Sequence, residues 1–299
     1  MTPSRLFKIL SLSTTLLVSA CAAEPEAQDG TDGTIDESAA PADGTVVHMM
    51  PLHTGVADKV ANAAPPGAHL TYFGGPVLTN VSVHPVFWNA NTQFQANINA
   101  FYNGVTNSAL FDMLVQYSGI GRGSGVNGFV DNRTSTRLSD NALHTELNRL
   151  FAAGSLPAPN GSNYYPIHFP SGVSITAPDG SRSCVQFCAY HGTYVRNGVN
   201  VNYGVIPDQG GSCAGGCGNN ASRVNNMDSV ASHELVEAVT DPAVGLATVF
   251  GPPLAWYDQT NGEIGDICNG QQGTTVGGDG VTYVIQTEFS NSANNCVTR

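Results

Sequence analysis

Basic residues are scarce in this chain of 299 residues. Lysine and arginine together number 11 against 23 aspartates and glutamates, which gives a formal net charge of −12 at pH 7. Phosphate backbones and anionic lipid surfaces repel such a chain, so nucleic acid and anionic membranes are not expected partners. Charged residues make up only 11% of the chain, which has 34 glycines. This composition is typical of a secreted, loop-rich protein.

Two common catalytic signatures are also missing. The glycine-rich run at 119–125 contains no lysine, although a phosphate-binding loop needs one. The nearest candidate for a G-x-S-x-G elbow has Gly123 at the position of the nucleophilic serine, so it offers no hydroxyl for attack. Neither phosphate-loop chemistry nor serine-elbow chemistry is therefore indicated.

No apolar run in the sequence is long enough for a lasting membrane span. Arg5 and Lys8 precede an apolar stretch from Ile9 to Val18, well short of the ~20 residues that cross a bilayer. The stretch ends in Val18-Ser19-Ala20-Cys21, which resembles the lipobox of bacterial lipoproteins. That resemblance implies a signal peptide over residues 1–20 and a lipid on Cys21, and the absence of a following aspartate favours the outer membrane or cell surface. Cleavage near Ala20, yielding a soluble secreted protein, is the alternative.

Residues 21–66 are predicted to be a flexible acidic tether, followed by one globular domain at 67–299. Residues 22–47 contain no basic and no aromatic side chain, and such a stretch buries too little apolar surface to offset its ordering entropy. Residues 51–66 include His53 and follow His48. A removable pro-segment that covers the site is therefore an alternative for this stretch.

Six cysteines remain once Cys21 is assigned to a lipid. An even number in an exported chain indicates three disulfides, and the expected pairs are the two local C-x-x-x-C pairs together with the last two cysteines, out of fifteen possible pairings. A structural zinc site in the C-x-x-x-C pairs is the alternative. The six are Cys184, Cys188, Cys213, Cys217, Cys268 and Cys296.

The segment from Ser232 to Pro242 carries the most informative motif of the chain. Its residues His233 and Glu237 are four apart, so a helix places both on one face, within reach of one metal ion. Glu234 would lie beside the open position of that ion. The pattern is the H-E-x-x-H helix of zinc hydrolases with the second histidine replaced by glutamate. A solvated or hydrogen-bonded helix face is the alternative.

A third ligand is expected from the acidic loop that follows the helix. Asp266, next to Cys268, is the first choice, Asp258 the second and Glu263 the third. Asp241 would lie about 12 Å along the axis from His233 at 1.5 Å per residue, so it joins only if the helix unwinds before Pro242. Zinc is the expected ion. Calcium is the alternative because oxygen ligands suit it, and simple turn chemistry is the alternative for the loop itself.

The fold is predicted to be α/β, with α+β as the alternative, in a single mixed-sheet domain with disulfide-stapled loops. Helices are expected at 140–153 and 223–240, and two more within 92–117, broken near Asn103-Gly104. Asn197-Gly198 joins two of the predicted strands as a hairpin turn, and Pro242 ends the last helix. The predicted strands lie at 77–88, 125–131, 164–169, 186–196 and 199–206.

Several stretches occur in the order found in the plant exordium-like, phosphate-induced protein family. They are Tyr72-Phe73-Gly74-Gly75-Pro76-Val77-Leu78, Pro85-Val86-Phe87-Trp88-Asn89, Phe187-Cys188-Ala189-Tyr190-His191-Gly192-Thr193-Tyr194 and Cys213-Ala214-Gly215-Gly216-Cys217. The chain resembles a bacterial branch of that family over residues 70–242. The resemblance implies a secreted, surface-associated or cell-wall protein. The family has no well-established reaction, and its plant members carry no His-Glu pair at the helix position, so the resemblance gives no support for catalysis.

Two functions follow from these observations. The first is an extracytoplasmic zinc peptidase that acts on peptides or proteins, with Glu234 as general base and with His191 or Tyr257 steadying the oxyanion. Two carboxylate ligands would make its zinc a weaker Lewis acid than a two-histidine site. The second is a non-catalytic surface or cell-wall binding lipoprotein with a structural metal or an acidic helix. Its glycan platform would use Tyr72, Trp88, Trp256 and Tyr257.

Overall fold

The computed structural model describes residues 47–52 and 63–299. The predicted signal peptide at 1–20, the predicted lipidation site Cys21, His53 and most of the predicted tether lie outside the described residues. Within the described part, no helix is both long enough and apolar enough to cross a membrane.

The described residues form short strands and four α-helices, named here in chain order. The α-helices are α1 (Gln95–Val105), α2 (Ala109–Met113), α3 (Asp140–Ala152) and α4 (Arg223–Thr240), and 3-10 turns lie at Leu114–Gln116, Gly211–Gly215, Val244–Leu246 and Asp266–Cys268. The strands are β1 (His48–Pro51), β2 (Thr71–Tyr72), β3 (Ser82–Val83), β4 (Val86–Phe87), β5 (Ser124–Gly125), β6 (Phe129–Val130), β7 (Arg137–Ser139), β8 (Asn163–His168), β9 (Ser174–Thr176), β10 (Phe187–Arg196), β11 (Val199–Ile206), β12 (Trp256–Tyr257), β13 (Gln272–Val276), β14 (Thr282–Gln286), β15 (Glu288–Ser290) and β16 (Asn295–Val297).

A mixed central sheet organises the molecule. Its order is β1-β10-β11-β8-β3-β5, with β4 also on β8 and β6 on β4. Strands β1, β10 and β11 pair antiparallel, whereas β11 pairs parallel with β8, and β3 to β6 continue the parallel part. This mixed sheet with its helices confirms the predicted α/β class.

The sheet separates two hydrophobic clusters. Successive residues of a strand point to opposite faces, and accordingly Tyr164 of β8 packs in the cluster that contains α1 and α4, whereas Tyr165 packs in the cluster that contains α3. Helix α4 is buried along its whole length from Asn226 to Thr240. Because α4 has no solvent face over this length, its polar residues lie inside the protein.

Most predicted elements are confirmed, with differences that have local causes. Helix α4 has the predicted bounds, and the predicted hairpin turn has Asn197 and Gly198 at φ 51° and 79°. The stretch predicted as one strand at 77–88 forms β3 and β4, which flank Pro85, a residue that has no N–H for the ladder. The helix break near residue 104 lies instead after Val105, where Ser108 caps α2.

The predicted start of the globular domain at residue 67 is too late. Strand β1 pairs antiparallel with β10, His48 standing opposite His191, and its Met50 is buried in the core. The acidic composition before residue 47 suggested a longer tether than the sheet allows. The folded part therefore includes residues 48–51.

Three disulfides link the described cysteines. The predicted pair Cys268–Cys296 is confirmed, but the two local pairs are wrong, since the structure has Cys184–Cys213 and Cys188–Cys217. Both bonds span 29 residues, so the two C-x-x-x-C segments lie side by side and pair across. These bonds exclude the alternative zinc site of the same cysteines and indicate an oxidising, extracytoplasmic environment.

Candidate metal centre

Helix α4, strand β10, strand β1 and the loop before Cys268 meet at one buried place beside the central sheet. Seven side chains there make up what we call the His–carboxylate cluster. Their ligand atoms fall into three overlapping groups, and within each group all atoms lie within 4.8 Å of one another. The groups are His191, Glu234 and Glu237; His233, Glu237 and Asp266; and His48, Glu263 and Asp266.

The helix supplies the central pair of this cluster. His233 and Glu237 face the same side one turn apart, and His233 Nε2 lies 3.2 Å from Glu237 Oε1. Gln286 Nε2 lies 2.7 Å from the other ring nitrogen of His233 and donates to the Gly265 carbonyl oxygen at 2.8 Å. These contacts fix the orientation of the imidazole ring, which is the usual role of residues behind a metal ligand.

Strand β10 adds His191, which bridges the two helix glutamates. Its Nδ1 lies 3.3 Å from Glu234 Oε2 and 3.4 Å from Glu237 Oε2, while its Nε2 lies 3.6 Å from Glu263 Oε1. From the sequence, His191 was predicted only to steady an oxyanion. Its place in the strand makes it a neighbour of Glu234 instead.

The loop after α4 reaches the cluster because of a glycine. A Cβ on Gly265 would lie 2.6 Å from His233 Nδ1 and 2.8 Å from Glu237 Oε1, so a larger residue would push the loop away. Asp266 donates its backbone N–H to Glu237 Oε1 at 3.1 Å. Ile264 and the disulfide of Cys268 anchor the loop in the core. The carboxylates of Glu263 and Asp266 therefore lie on the side of the loop that faces the helix.

Of the predicted loop ligands, Asp266 lies in the cluster and Asp258 does not. Asp258 accepts hydrogen bonds from the backbone N–H groups of His69, Thr260 and Asn261, and these bonds, working against burial, lower its pKa. Asp258 stabilises a turn, so the prediction of Asp258 as a metal ligand is wrong. Glu263, the third choice, is completely buried in the cluster.

Two other residues considered from the sequence lie at the border of the cluster. Helix α4 ends at Thr240, and Asp241 has a non-helical backbone with φ −147° and ψ 64°. This carboxylate is buried and accepts one hydrogen bond, from the Ala255 N–H at 3.0 Å. Tyr257 is partly exposed, with its ring against that of His48. It lies at the rim of the cluster.

Many polar atoms here are buried without a hydrogen-bond partner. Burying such atoms costs several kcal/mol each unless a partner or a cation compensates. Among the described residues, only histidines form ion pairs with the carboxylates of the cluster. The unpartnered atoms are His191 Nε2, His233 Nε2, Glu234 Oε1, Asp241 Oδ2, Glu263 Oε1 and Oε2, Gln286 Oε1 and both oxygens of Glu288.

The pKa values reflect this shortage of positive charge. Burial, followed by the charge of Glu237, raises the pKa of Glu263 well above its usual value and that of Asp266 to about 7. Burial alone would lower the pKa of His191, but its hydrogen bonds to Glu234 and Glu237 raise that pKa to about 9. For Glu237 burial is overcome by the charge of His233, which lowers its pKa. The cluster attracts protons, and a divalent cation satisfies the same demand.

The ligand types suit a divalent cation. Each of the three groups combines one histidine nitrogen with two carboxylates. Carboxylates suit calcium or magnesium, and an imidazole ligand together with carboxylates suits zinc and neighbouring transition ions. The structure therefore shows groups that could hold a metal ion.

His48, Glu288 and Gln286 are the members of this neighbourhood that sequence reasoning missed. His48 comes from a segment assigned to the tether, and its Nδ1 lies 3.2 Å from Glu263 Oε2. Glu288 and Gln286 belong to the end of the chain, in β15 and β14. The one available signal was a glutamate directly before an apolar strand residue, because Glu288 precedes the buried Phe289.

Comparisons with known proteins found no matching family model, no matching curated protein and no matching solved structure. The resemblance to exordium-like proteins thus stays a prediction.

Proposed function

We propose that this protein is an extracytoplasmic metal-dependent hydrolase, and specifically a zinc peptidase. The observation that carries the proposal is the convergence of His233, Glu237 and Asp266 within 4.8 Å, with Glu234 at the adjoining position on α4. This is the arrangement that the modified zinc-hydrolase helix predicts.

Three side chains would hold the ion, and a fourth would move the proton. His233, Glu237 and Asp266 are the ligands. The bound ion would supply a water of lowered pKa and polarise the scissile carbonyl group. The carboxylates reduce the positive charge felt by that water, so we expect slow turnover compared with a two-histidine centre.

Glu234 has the geometry of a general base. Its Oε2 is held by His191 Nδ1 at 3.3 Å, while its Oε1 has no hydrogen-bond partner. Burial raises the pKa of Glu234, which favours its accepting a proton from water and returning it to a leaving amine. His191 positions Glu234 and balances its charge.

A surface cavity lies next to the cluster and is suited to an apolar substrate side chain. It has a volume of about 210 Å³, and His48 and Tyr257 form the part of its wall that is nearest the cluster. Val249 and Phe250 also line it and are largely exposed. The expected substrate is therefore a peptide or protein with a hydrophobic residue near the bond that is cleaved.

The complete burial of most cluster side chains supports a second candidate. His191, His233, Glu234 and Glu263 are each 0% exposed, which suits a structural ion in a non-catalytic lipoprotein that binds surface or cell-wall glycans. The rings of Tyr72 and Trp256 lie 5.2 Å apart between centroids, tilted by 31°, and would form the glycan platform of this candidate. Trp88 is buried in the α3-side core and belongs to no such platform.

Both candidates act outside the cytoplasm, in agreement with the three disulfides. We propose in addition that Cys21 carries a lipid and that residues before 47 tether the domain to the outer membrane or the cell surface. Mass spectrometry of the mature N-terminus tests this directly, because a lipidated Cys21 and a free N-terminus after residue 20 differ in mass.

The substitution Glu234→Gln separates the two candidates. In a peptidase it should abolish cleavage of a peptide library while metal content and melting temperature stay close to wild type. Asp258→Asn is the matched control, because that carboxylate lies outside the cluster, and it should keep both metal and activity. Unchanged turnover in Glu234→Gln would refute the proposed mechanism, and no turnover in wild type would favour the structural ion.

A further inference from the structure

We propose that the His–carboxylate cluster binds two divalent cations, and that the second is held by His48, Glu263 and Asp266. The inference rests on the proposed function, which places the first ion at His233, Glu237 and Asp266. The inference assigns a metal-binding role to His48 of strand β1 and to Glu263 of the loop after α4.

The geometry provides a second complete ligand set. The ligand atoms of His48, Glu263 and Asp266 lie within 4.8 Å of one another, as do those of the first set, and Asp266 belongs to both. One carboxylate shared between two ions is the usual bridge in two-metal hydrolases, where the ions are about 3.5–4 Å apart. The two positions are therefore neighbours that share a ligand.

Glu263 is the residue that one ion leaves unexplained. It is 0% exposed, and both of its carboxylate oxygens lack a hydrogen-bond partner within residues 47–52 and 63–299. Its nearest charged partners are His48, at 3.2 Å, and His191, at 3.6 Å, and neither is a ligand of the first position. A buried carboxylate in this condition needs a cation at its oxygens.

The negative charge of the carboxylates in and beside the cluster also supports a second cation. Among the described residues, six buried or nearly buried carboxylates form ion pairs only with histidines, and a histidine that binds a metal is neutral and no longer adds charge. One divalent ion leaves the ionised group strongly negative, and a second halves the remaining charge. The carboxylates are Glu234, Glu237, Asp241, Glu263, Asp266 and Glu288.

The local backbone is adapted to bring Glu263 and Asp266 together. Gly262 has φ +91°, and a Cβ there would lie 2.3 Å from Asp266 Oδ2. Ile264, between the two acids, is buried in the core. Because Ile264 takes the core side, Glu263 and Asp266 share the side that faces the cluster.

The second position lies toward the substrate. His48 keeps a quarter of its side chain exposed, 25%, and forms part of the cavity wall beside Tyr257. A cation bound there would meet an oxygen or amine group of a peptide before the first ion does. The second ion would thus orient substrate, while the first activates water.

Metal stoichiometry of the full-length protein tests this inference. Metal-free protein is loaded with excess zinc, passed over a desalting column and analysed for zinc per chain. We expect two ions in wild type, one in Glu263→Gln, one in His48→Ala, and two in the control Asp258→Asn. His48→Ala serves as the second variant, because its partly exposed strand position tolerates truncation, and melting curves check that each variant is folded.

The outcomes separate this inference from the proposed function. One zinc in wild type and one in Glu263→Gln would overturn the second position and leave the first intact. Two zincs in both folded variants would overturn the assignment of His48 and Glu263. No zinc in wild type would overturn both proposals. Cobalt(II) adds an independent readout, since two bridged ions should weaken each other's electron paramagnetic resonance signal in wild type but not in Glu263→Gln.

Discussion

Two helices on opposite faces of the central sheet carry the same kind of buried pair, with different surroundings. On α3, His144 Nε2 lies 3.1 Å from Asp140 Oδ2, four residues away. On α4, His233 Nε2 lies 3.2 Å from Glu237 Oε1, again four residues away. Asp140 and Glu237 are both nearly inaccessible to water. By spacing, distance and burial the two pairs are alike.

Their neighbours differ. Asp140 Oδ1 accepts hydrogen bonds from the hydroxyl groups of Tyr190 and Tyr203, each at 2.7 Å, and the ring of His144 stacks on Tyr194. The α4 pair adjoins Glu234, Glu263 and Asp266, and Glu237 accepts a hydrogen bond from the Asp266 N–H but none from a hydroxyl group of the described residues. A buried carboxylate among hydroxyl donors is a structural element, whereas one among further carboxylates is a site for a cation.

The largest expected difference is in the pH dependence of the metal-free protein. The pKa of Asp266 is raised by burial to about 7 from 3.8, and the hydrogen bonds of His191 raise its pKa to about 9 from 6.5. Both groups bind protons more tightly when folded, so each contributes a loss of stability as pH rises, Asp266 up to about 7 and His191 up to about 9. The lowered pKa of Glu237 acts oppositely below its ordinary value of 4.5, and the pKa values of His48 and His168, lowered by burial, act oppositely below 6.5. Each unit of pKa difference corresponds to about 1.4 kcal/mol.

Melting temperatures in a chelator between pH 6.5 and pH 9 measure this effect, because the opposing histidines no longer contribute there. We expect a steep fall that excess zinc removes, because zinc replaces the protons. His191→Gln should flatten the upper half of the curve. A melting temperature that rises with pH in the chelator would contradict the raised pKa values of Asp266 and His191.

The next largest effect should come from removing the buried carboxylate of Asp140 on α3. Asp140→Ala leaves two buried tyrosine hydroxyl groups and His144 without their acceptor, and should lower the free energy of unfolding by about 4 kcal/mol. Urea denaturation measures it. Asp140→Asn keeps an acceptor and should cost less, and both variants should retain full metal content. Loss of metal in a folded Asp140 variant would contradict the claim that the α3 pair has no part in metal binding.

A side chain at Gly265, where the loop lies against His233 and Glu237, should lower the metal affinity of the cluster. In Gly265→Ala the new methyl group meets His233 and Glu237, and we expect metal affinity to fall about 10- to 100-fold, as for other changes behind metal ligands. Isothermal titration measures the affinity. Gly215→Ala is the control, since a Cβ there meets nothing within 4 Å. Equal affinity in the two variants would mean that Gly265 does not set the geometry.

The smallest effect has a sign that depends on metal. In chelator, Glu263→Gln removes a buried carboxyl group that must either take up a proton or stay charged without a hydrogen-bond partner among the described residues, and should stabilise the protein by about 1–2 kcal/mol. In excess zinc the same change removes a ligand and should destabilise it relative to wild type. Thermal unfolding under both conditions measures the two signs. The same sign in both would contradict a ligand role for Glu263.

The part of the site on one continuous segment was predictable, and the rest was not. His233 and Glu237 follow from helical spacing, and Asp266 from its place in a loop next to Cys268. His191 and His48 come together only through the register of β1 on β10, which composition does not show. The same reason explains the cysteines, since side-by-side chains, not spacing, decided their pairing.

Anomalous X-ray scattering at the zinc edge, from crystals of zinc-loaded full-length protein, tests the central claim most directly. We predict one peak among His233, Glu237 and Asp266, a second among His48, Glu263 and Asp266, and none beside Asp140. No peak in the cluster, with its carboxylates hydrogen-bonded to water or to each other, would contradict the account.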